Sequence, residues 1–199
     1  MLSVALWLPP MRLCAPQSQP AADDIQRFAV DASRNAQPCE YSGSIDDVPP
    51  LWFVNRSEKT IGHGRDAYLR ASAALGDLQC LELDWLTHRV HDDALAICSR
   101  QFGVVWLMNA NKFIRSRDVR GDRRSSVAWS TTRRHVLCGE EQLTVRWDEA
   151  TDDVSFEVLS FSRPRHLFSW VAYPYVVLQQ KRFARDATAV MRMRASCER

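Results

Sequence analysis

Two adjoining segments near the carboxyl end alternate apolar and polar side chains, and this pattern constrains the fold more than any other feature of the chain. The first runs over residues 139–148 and the second over residues 154–166. Side chains of a strand point alternately to opposite faces, so the apolar faces of the two segments can align across the short turn between them. The pattern predicts an antiparallel hairpin whose apolar face includes Leu143 and Phe156. Glu141 falls on that same face.

Further patterns place this hairpin inside an α+β chain. Residues 21–32 begin with acidic residues and continue with apolar ones at three- and four-residue spacing, which predicts a short amphipathic helix. A stretch with several Pro and Gly residues, from residue 38 to about residue 60, predicts an extended loop. From Leu81 to Ser162, β-branched and aromatic runs separated by turn residues predict about six strands, mostly joined as hairpins.

Two more helices are predicted from apolar stripes. One follows the turn at residues 61–64 and is expected to pack on the sheet, and a long one starts near Pro174 and closes the chain. The stripe of the first contains Ala67, Tyr68, Ala71, Ala74 and Leu75. The stripe of the second contains Val176, Leu178, Gln180, Phe183, Ala187, Val190 and Met191.

Length and charge limit the classes of protein to consider. A chain of 199 residues with 46% hydrophobic residues fits one domain, which we place at residues 21–195. Residues 1–20 are expected to be a disordered lead or the product of a start codon assigned too far upstream. The net charge of +2 gives no general reason to expect a nucleic acid as partner. No apolar run approaches the roughly 20 residues that span a bilayer, so no integral membrane segment is predicted.

The six cysteines are widely scattered and form no Cys-x-x-Cys pair. Neither a structural metal nor a redox motif is indicated, and no cofactor is expected. We expect reduced, mostly buried thiols and therefore a cytoplasmic location.

Several short motifs in the carboxyl half carry a family resemblance. They are His135 followed by Gly139-Glu140-Glu141, then Ser162-Arg163-Pro164, Tyr173-Pro174, Gln180 with Phe183, and Arg185-Asp186. With weaker matches at residues 61–64 and 107–114, they make the chain resemble the bacterial and plant family called domain of unknown function 1990, or uncharacterised protein family 0548. The resemblance covers most of residues 21–195. Asn111 and Lys112 stand where the family has a Cys-Arg pair, and Lys112 keeps only the charge of that arginine.

The order of helix, antiparallel sheet and long terminal helix is similar to the helix-grip fold of the START and Bet v 1 superfamily. In that fold a curved antiparallel sheet wraps around the last helix. A plain α+β sandwich with the same element order would produce the same periodicity. By analogy, the resemblance implies a small hydrophobic ligand held between the sheet and the terminal helix.

Glu141 is the residue with the most chemical interest, because an acid on an apolar face has a raised pKa if it is desolvated. The interpretation that the sequence favours is a buried carboxylate paired with Arg163, Arg165 or Lys112. His135 lies close to Glu141 in sequence and is either its partner in proton transfer or an ordinary loop histidine.

Two amides and a basic cluster complete the candidates. Asn109 and Asn111 share one face of a strand; they orient a ligand if that face is buried and are ordinary strand amides if it is not. Basic residues cluster in one strand-loop-strand unit, which the sequence favours as a solvated hairpin tip. They are Lys112, Arg115, Arg117, Arg120, Arg123, Arg124, Arg133 and Arg134.

The sequence thus favours a non-enzymatic module that binds a small hydrophobic or amphipathic ligand. The candidate ligand-binding residues are Asn109, Asn111, His135, Glu141 and Arg163. One alternative is an enzyme of the cyclase or hydrolase type that uses Glu141 and His135 as an acid-base pair. Another is an adaptor whose surface is the basic hairpin. No oligomeric state is indicated.

Overall fold

The structure is a computed structural model that describes residues 7–8, 11–14, 19–39, 52–114, 119–133, 135, 137–165 and 171–196, with only the backbone described before residue 19. Three α-helices are present in these ranges, α1 (Ala22–Asn35), α2 (Gly64–Gly76) and α3 (Tyr173–Ser196). The strands are β1 (Trp7–Leu8), β2 (Met11–Cys14), β3 (Phe53–His63), β4 (Leu86–His91), β5 (Ala94–Gln101), β6 (Val105–Phe113), β7 (Val119–Arg120), β8 (Arg124–Thr131), β9 (Leu137–Asp148) and β10 (Asp153–Pro164).

The strands form one antiparallel sheet. Its main order is β4-β5-β6-β8-β9-β10-β3, and β2 and β7 add short pairings to β6 and β8. The predicted hairpin is β9 and β10, which pair along their whole length from Asp148↔Asp153 to Leu137↔Pro164. Its inner face carries Leu143 and Phe156, both fully buried in the main core, as the alternation predicts.

The two faces of the sheet are covered by different helices. On the inner face, α2 and the second half of α3 pack against the central strands to form the main core. On the outer face, α1 covers β4, β5 and β6 through Ile25, Ala29 and Ala32. An antiparallel sheet that holds a long terminal helix on one face is the helix-grip arrangement, so the prediction of an α+β helix-grip fold is confirmed.

The structure corrects two details of the prediction. The loop was predicted to extend to about residue 60, with a turn at residues 61–64, but residues 53–63 form an edge strand that pairs with β10 from Phe53↔Ser162 to His63↔Asp153. Its charged side chains face solvent, so an apolar alternation is missing from its sequence. In α3, Leu178 is 64% exposed, so it does not belong to the buried stripe. The residues described within the lead form the short strands β1 and β2.

The expectation of reduced thiols is wrong for one pair of cysteines. Cys39 and Cys138 form a disulfide, with their Cα atoms 5.7 Å apart. Both lie on the outer side of the sheet, where the backbone N–H of Cys39 donates to the carbonyl of Thr131 at 2.7 Å. Cys80 is a buried free thiol, and Cys98 is also buried. No described helix combines the length and apolar content that a membrane-spanning helix needs.

Candidate functional site

A cavity of about 580 Å³ lies between the inner face of the sheet and the first half of α3. Its apolar wall is formed by Leu81, Trp85, Leu86, Ile97, Val105, Leu107, Trp129, Leu137, Val176 and Phe183. Its polar wall includes Ser99, Asn109, Asn111, His135, Glu141, Ser160, Tyr175 and Gln179.

The cavity exists because α3 packs closely on the sheet along only part of its length. From Phe183 onward the helix is buried in the main core through Ala184, Ala187 and Met191. Before Phe183, the side chains that face the sheet line the cavity instead. The wall in front of them includes small residues, among them Ser99, Gly139 and Ser160, which leave the space unfilled.

Glu141 lies on the cavity wall and faces Trp129 of the neighbouring strand in register. Burial raises the pKa of the Glu141 carboxyl to about 7, and a hydrogen bond from the Trp129 side chain opposes that rise. The charge of Glu141 also contributes, after burial, to raising the pKa of the buried Cys80 thiol to about 12. Protein surrounds Glu141, yet the residue keeps an intermediate solvent-accessible surface because part of that surface faces the cavity.

The ion pair that the sequence favours for Glu141 is absent, because all three predicted partners make other contacts. Lys112 points to the outer face, where its Nζ contacts Asp93 Oδ1 at 2.7 Å and Ser33 O at 2.8 Å. Arg163 is exposed, with its guanidinium 5.2 Å from the ring centre of Trp52. Arg165 Nη1 lies 4.0 Å from the sulfur of Cys39. The structure therefore separates Arg163 from the other predicted site residues.

His135 lines the cavity as a neutral imidazole. Its Nδ1 accepts a hydrogen bond from the backbone N–H of Leu137 at 3.0 Å, so its proton is on Nε2. Burial lowers the pKa of His135 to about 4. Glu141 does not contribute to that shift, and His135 does not contribute to the raised pKa of Glu141.

Asn109 and Asn111 both face inward, which resolves the alternative that the sequence leaves open. They line the cavity, while Met108 and Ala110, which alternate with them along the strand, pack under α1. Asn111 Nδ2 donates to the carbonyl of Leu95 at 3.4 Å. The Oδ1 atom of Asn109 is buried and has no hydrogen-bond partner among the described residues.

Sequence reasoning missed several wall residues, of which Trp85 is the most firmly placed. Its Nε1 donates to Asp186 Oδ2 at 3.0 Å, and the guanidinium of Arg182 lies 4.4 Å from its ring centre. Asp186 is therefore a family-motif residue that orients an aromatic wall of the cavity. The sequence motif identifies Asp186, but it does not reveal the contact with Trp85, which is 101 residues away.

The other motif residues tie the start of α3 to β10. Gln180 Nε2 donates to Ser162 Oγ at 3.3 Å, and the hydroxyl of Tyr173 lies 3.5 Å from the same oxygen. Gly139 faces Ser162 in register, at a point where a Cβ atom would overlap the backbone of β10. These residues thus define the end of the cavity where the sheet and the helix meet.

One side of the cavity mouth is closed by an aromatic contact. The rings of Phe102 and Tyr175 stack with their centres 4.1 Å apart. The backbone N–H of Phe102 donates to the Tyr175 hydroxyl at 2.9 Å, and Gln179 Nε2 donates to the same hydroxyl. Phe102 is 71% exposed at the turn between β5 and β6, so it lies at the boundary between cavity and solvent.

The basic cluster is not one continuous surface in the described part of the chain. Lys112 is buried under α1, and Arg123 Nη2 forms an ion pair with Glu149 at 2.7 Å. Arg120 and Arg124 are exposed. Three members of the predicted cluster lie outside the described residues, namely Arg115, Arg117 and Arg134.

Among the described residues, no group of His, Cys, Asp and Glu is arranged to hold a metal ion.

Solved structures share the fold at low sequence identity. TTHA0849 from Thermus thermophilus matches with a TM-score of 0.51 and 10% identity, over 72% of this chain and 97% of that one. The di-domain ARO/CYC BexL from the BE-7585A biosynthetic pathway matches with a TM-score of 0.52 and 13% identity. That match covers 76% of this chain and 52% of the di-domain chain.

Sequence comparisons identify the family. The UPF0548 protein At2g17695 of Arabidopsis thaliana is 28% identical over 146 residues, which cover 69% of this chain and 70% of the plant protein. A UPF0548 protein of Dictyostelium discoideum is also 28% identical, over 67% of this chain and 68% of its own. The model of the family described as Domain of unknown function (DUF1990) matches residues 36–190. The chain therefore belongs to the DUF1990 family.

Proposed function

We propose that the protein is a non-enzymatic module that binds one small hydrophobic or amphipathic ligand in the cavity between the sheet and α3. The observation that carries the proposal is the cavity of about 580 Å³ with a mainly apolar wall. Cavities of roughly 300–1,000 Å³ with a few placed polar groups are typical of small-molecule sites.

The apolar wall sets the scale of the affinity. A ligand that buries about 300 Å² of apolar surface gains roughly 7 kcal/mol of transfer free energy. Association costs about 4 kcal/mol or more in lost translation and rotation. Apolar contact alone therefore gives weak binding, with Kd around the millimolar range. Tighter binding requires the polar groups of the wall.

A matched pair of tryptophan variants tests the proposal with the neutral probe N-phenyl-1-naphthylamine. Val176 lines the cavity, whereas Leu178, two residues along the same helix, is 64% exposed and is not part of the wall. We expect the wild type and Leu178→Trp to bind the probe equally and to increase its fluorescence. Val176→Trp fills the cavity and should weaken binding at least tenfold. Equal binding by both variants, or no binding by the wild type, would contradict the proposal.

Native mass spectrometry of freshly purified protein is the complementary experiment. A co-purified molecule that is retained by Leu178→Trp and lost from Val176→Trp would support the proposal and supply the ligand mass. Retention of that molecule by both variants would place it elsewhere on the protein.

A second candidate, an enzyme of the cyclase or hydrolase type, is favoured by one observation. The pKa of Glu141, about 7, suits a general acid or base near neutral pH. His135 does not suit the predicted acid-base pair, because its pKa of about 4 makes it a poor proton donor at neutral pH. If a molecule identified by mass spectrometry is converted by the wild type and not by Glu141→Gln, the enzyme hypothesis replaces the binding module.

A further inference from the structure

We propose that the ligand of this cavity is a hydrophobic amine, with an apolar body against the aromatic wall and one cationic nitrogen at the carboxylate of Glu141. This inference rests on the proposed function, because it specifies the chemical class of ligand for the same cavity.

The charges on the wall give the first reason. No Lys or Arg is among the described residues that line the cavity. The titratable side chains there are Glu141, Glu140, His135 and Tyr175. His135 is neutral. Glu140 lies on the strand face that also carries Gln142 and Thr144, which is opposite to the face of Glu141. Glu141 therefore supplies the negative charge inside the cavity. A ligand carboxylate or phosphate would meet this acid without an offsetting cation from the described wall.

Hydrogen-bonding capacity gives the second reason. Three wall residues have a buried oxygen without a partner in the described structure, namely Asn109 Oδ1, Gln179 Oε1 and Ser160 Oγ. The two amide oxygens only accept hydrogen bonds, and the ionised carboxyl of Glu141 also only accepts. An ammonium group has three donors and no acceptor. These acceptors can receive the N–H donors of an ammonium head group, and the Nε2–H of His135 remains a donor on the same wall.

The aromatic wall gives the third reason. Trp85, Trp129, Tyr175 and Phe183 line the cavity, and Trp129 faces Glu141 directly. Aromatic faces attract cations, by about 2 kcal/mol or more where water is excluded. The same rings pack well against the apolar body of a ligand. The Glu141 carboxyl among aromatic side chains is thus suited to one cation on a hydrophobic molecule.

Binding of such a cation is expected to ionise Glu141. Without a ligand, the pKa of Glu141 is about 7, so the carboxyl is partly protonated at neutral pH. An adjacent ammonium group favours the charged form and lowers this pKa. Below pH 7 the complex should therefore release a proton as it forms.

The experiment compares three probes with the same ten-carbon chain, each used below its micelle concentration: decylamine, decanol and decanoate. Displacement of N-phenyl-1-naphthylamine measures their binding to the wild type and to Glu141→Gln at pH 7.5. Calorimetric titration measures their binding to Val176→Trp, because that variant binds the fluorescent reporter too weakly for displacement. We expect the wild type to bind decylamine at least tenfold more tightly than decanol, and decanoate most weakly. Glu141→Gln should reduce the preference for amine over alcohol to threefold or less.

The outcomes separate this inference from the proposed function. If none of the three probes binds the wild type, the proposed function itself fails. If decanol or decanoate binds as tightly as decylamine, the cavity binds ligands but the amine assignment is overturned. If Glu141→Gln keeps the tenfold preference, Glu141 is not the cation site and the inference also fails. Val176→Trp must weaken the binding of all three probes. Decylamine that still binds this variant as tightly as the wild type is held by acidic groups on the surface and not in the cavity.

Discussion

Glu141 and Trp129 face each other on adjacent strands inside the cavity, and the Trp129 side chain donates a hydrogen bond to the carboxyl group of Glu141. An indole N–H is a donor only, so this bond favours the ionised carboxylate. Burial has the larger effect and raises the pKa to about 7. The acid in the cavity therefore changes its charge near neutral pH.

The first prediction is that Glu141 makes the protein less stable as the pH rises. A carboxyl whose pKa is raised by folding binds its proton more tightly in the folded state. The free energy of unfolding should thus fall from about pH 4.5 to about pH 7, by roughly 3 kcal/mol at most. Glu141→Gln still accepts from Trp129 and does not titrate, so at pH 8 it should be the more stable protein. Urea unfolding at pH 5 and pH 8 measures this difference, and a gain that is equal at both pH values would contradict the prediction.

His135 should give the opposite pH dependence. Because burial lowers its pKa from 6.5 to about 4, the unfolded state binds the proton more tightly. The contribution of neutral His135 to stability should be lost as the pH falls from about 6.5 to about 4, by roughly 3 kcal/mol at most. In His135→Asn the side-chain oxygen can accept from Leu137 N–H without titrating. The difference in unfolding free energy between this variant and the wild type should grow towards pH 4; a constant difference would show that His135 is not buried as a neutral group.

Gly139 should tolerate no side chain. A Cβ atom at this position would lie 2.7 Å from Ser162 Cα and 2.8 Å from Ser162 Cβ, and it would overlap the carbonyl of Phe161. Gly139→Ala should therefore cost about 3 kcal/mol or more of unfolding free energy, because backbone atoms must move. Gly121→Ala is the matched control, since its Cβ would meet Arg124 O at 3.5 Å, an ordinary contact. Similar melting temperatures for the two variants would exclude close strand packing as the reason for the glycine.

The sequence predicts those elements of the fold in which one face is apolar and the other polar. All five residues of the stripe predicted for α2 are buried, and the predicted hairpin has the expected inner face. The strand β6 is ambiguous because both of its faces are covered, by α1 outside and by the cavity inside. Its sequence therefore does not reveal that Asn109 and Asn111 point inward.

The cavity itself is harder to predict, because it arises where side-chain volume is missing. Its walls bring together residues as distant in sequence as Leu81 and Phe183, and the small side chains that leave it open have no common pattern.

The partners of Glu141 were predicted wrongly because closeness in sequence does not place two side chains on the same face of the sheet. Arg163 is close to the motif in sequence, but strand alternation puts it on the opposite face from the cavity.

The disulfide should contribute substantially to stability. Cys39 and Cys138 are 99 residues apart, and closing so long a loop removes much entropy from the unfolded chain. Replacing both cysteines with alanine should lower the free energy of unfolding by about 2–4 kcal/mol under non-reducing conditions. In the presence of a strong reductant, the wild type should lose most of this advantage. Peptide mapping without reduction checks the pairing, and a wild type that contains no Cys39–Cys138 peptide would contradict it.

The last prediction concerns entry to the cavity. Phe102 stacks on Tyr175 at the mouth, so Phe102→Ala should open a path that the ring now obstructs. We expect the association and dissociation rates of N-phenyl-1-naphthylamine to rise together, threefold or more, with little change in Kd, because Phe102 lies at the boundary with solvent and the rest of the wall is unchanged. Val104→Ala is the control, as Val104 is exposed in the same turn but does not line the cavity. Stopped-flow fluorescence measures both rates. If Phe102→Ala changes only the dissociation rate, Phe102 is a direct ligand contact and does not close the mouth.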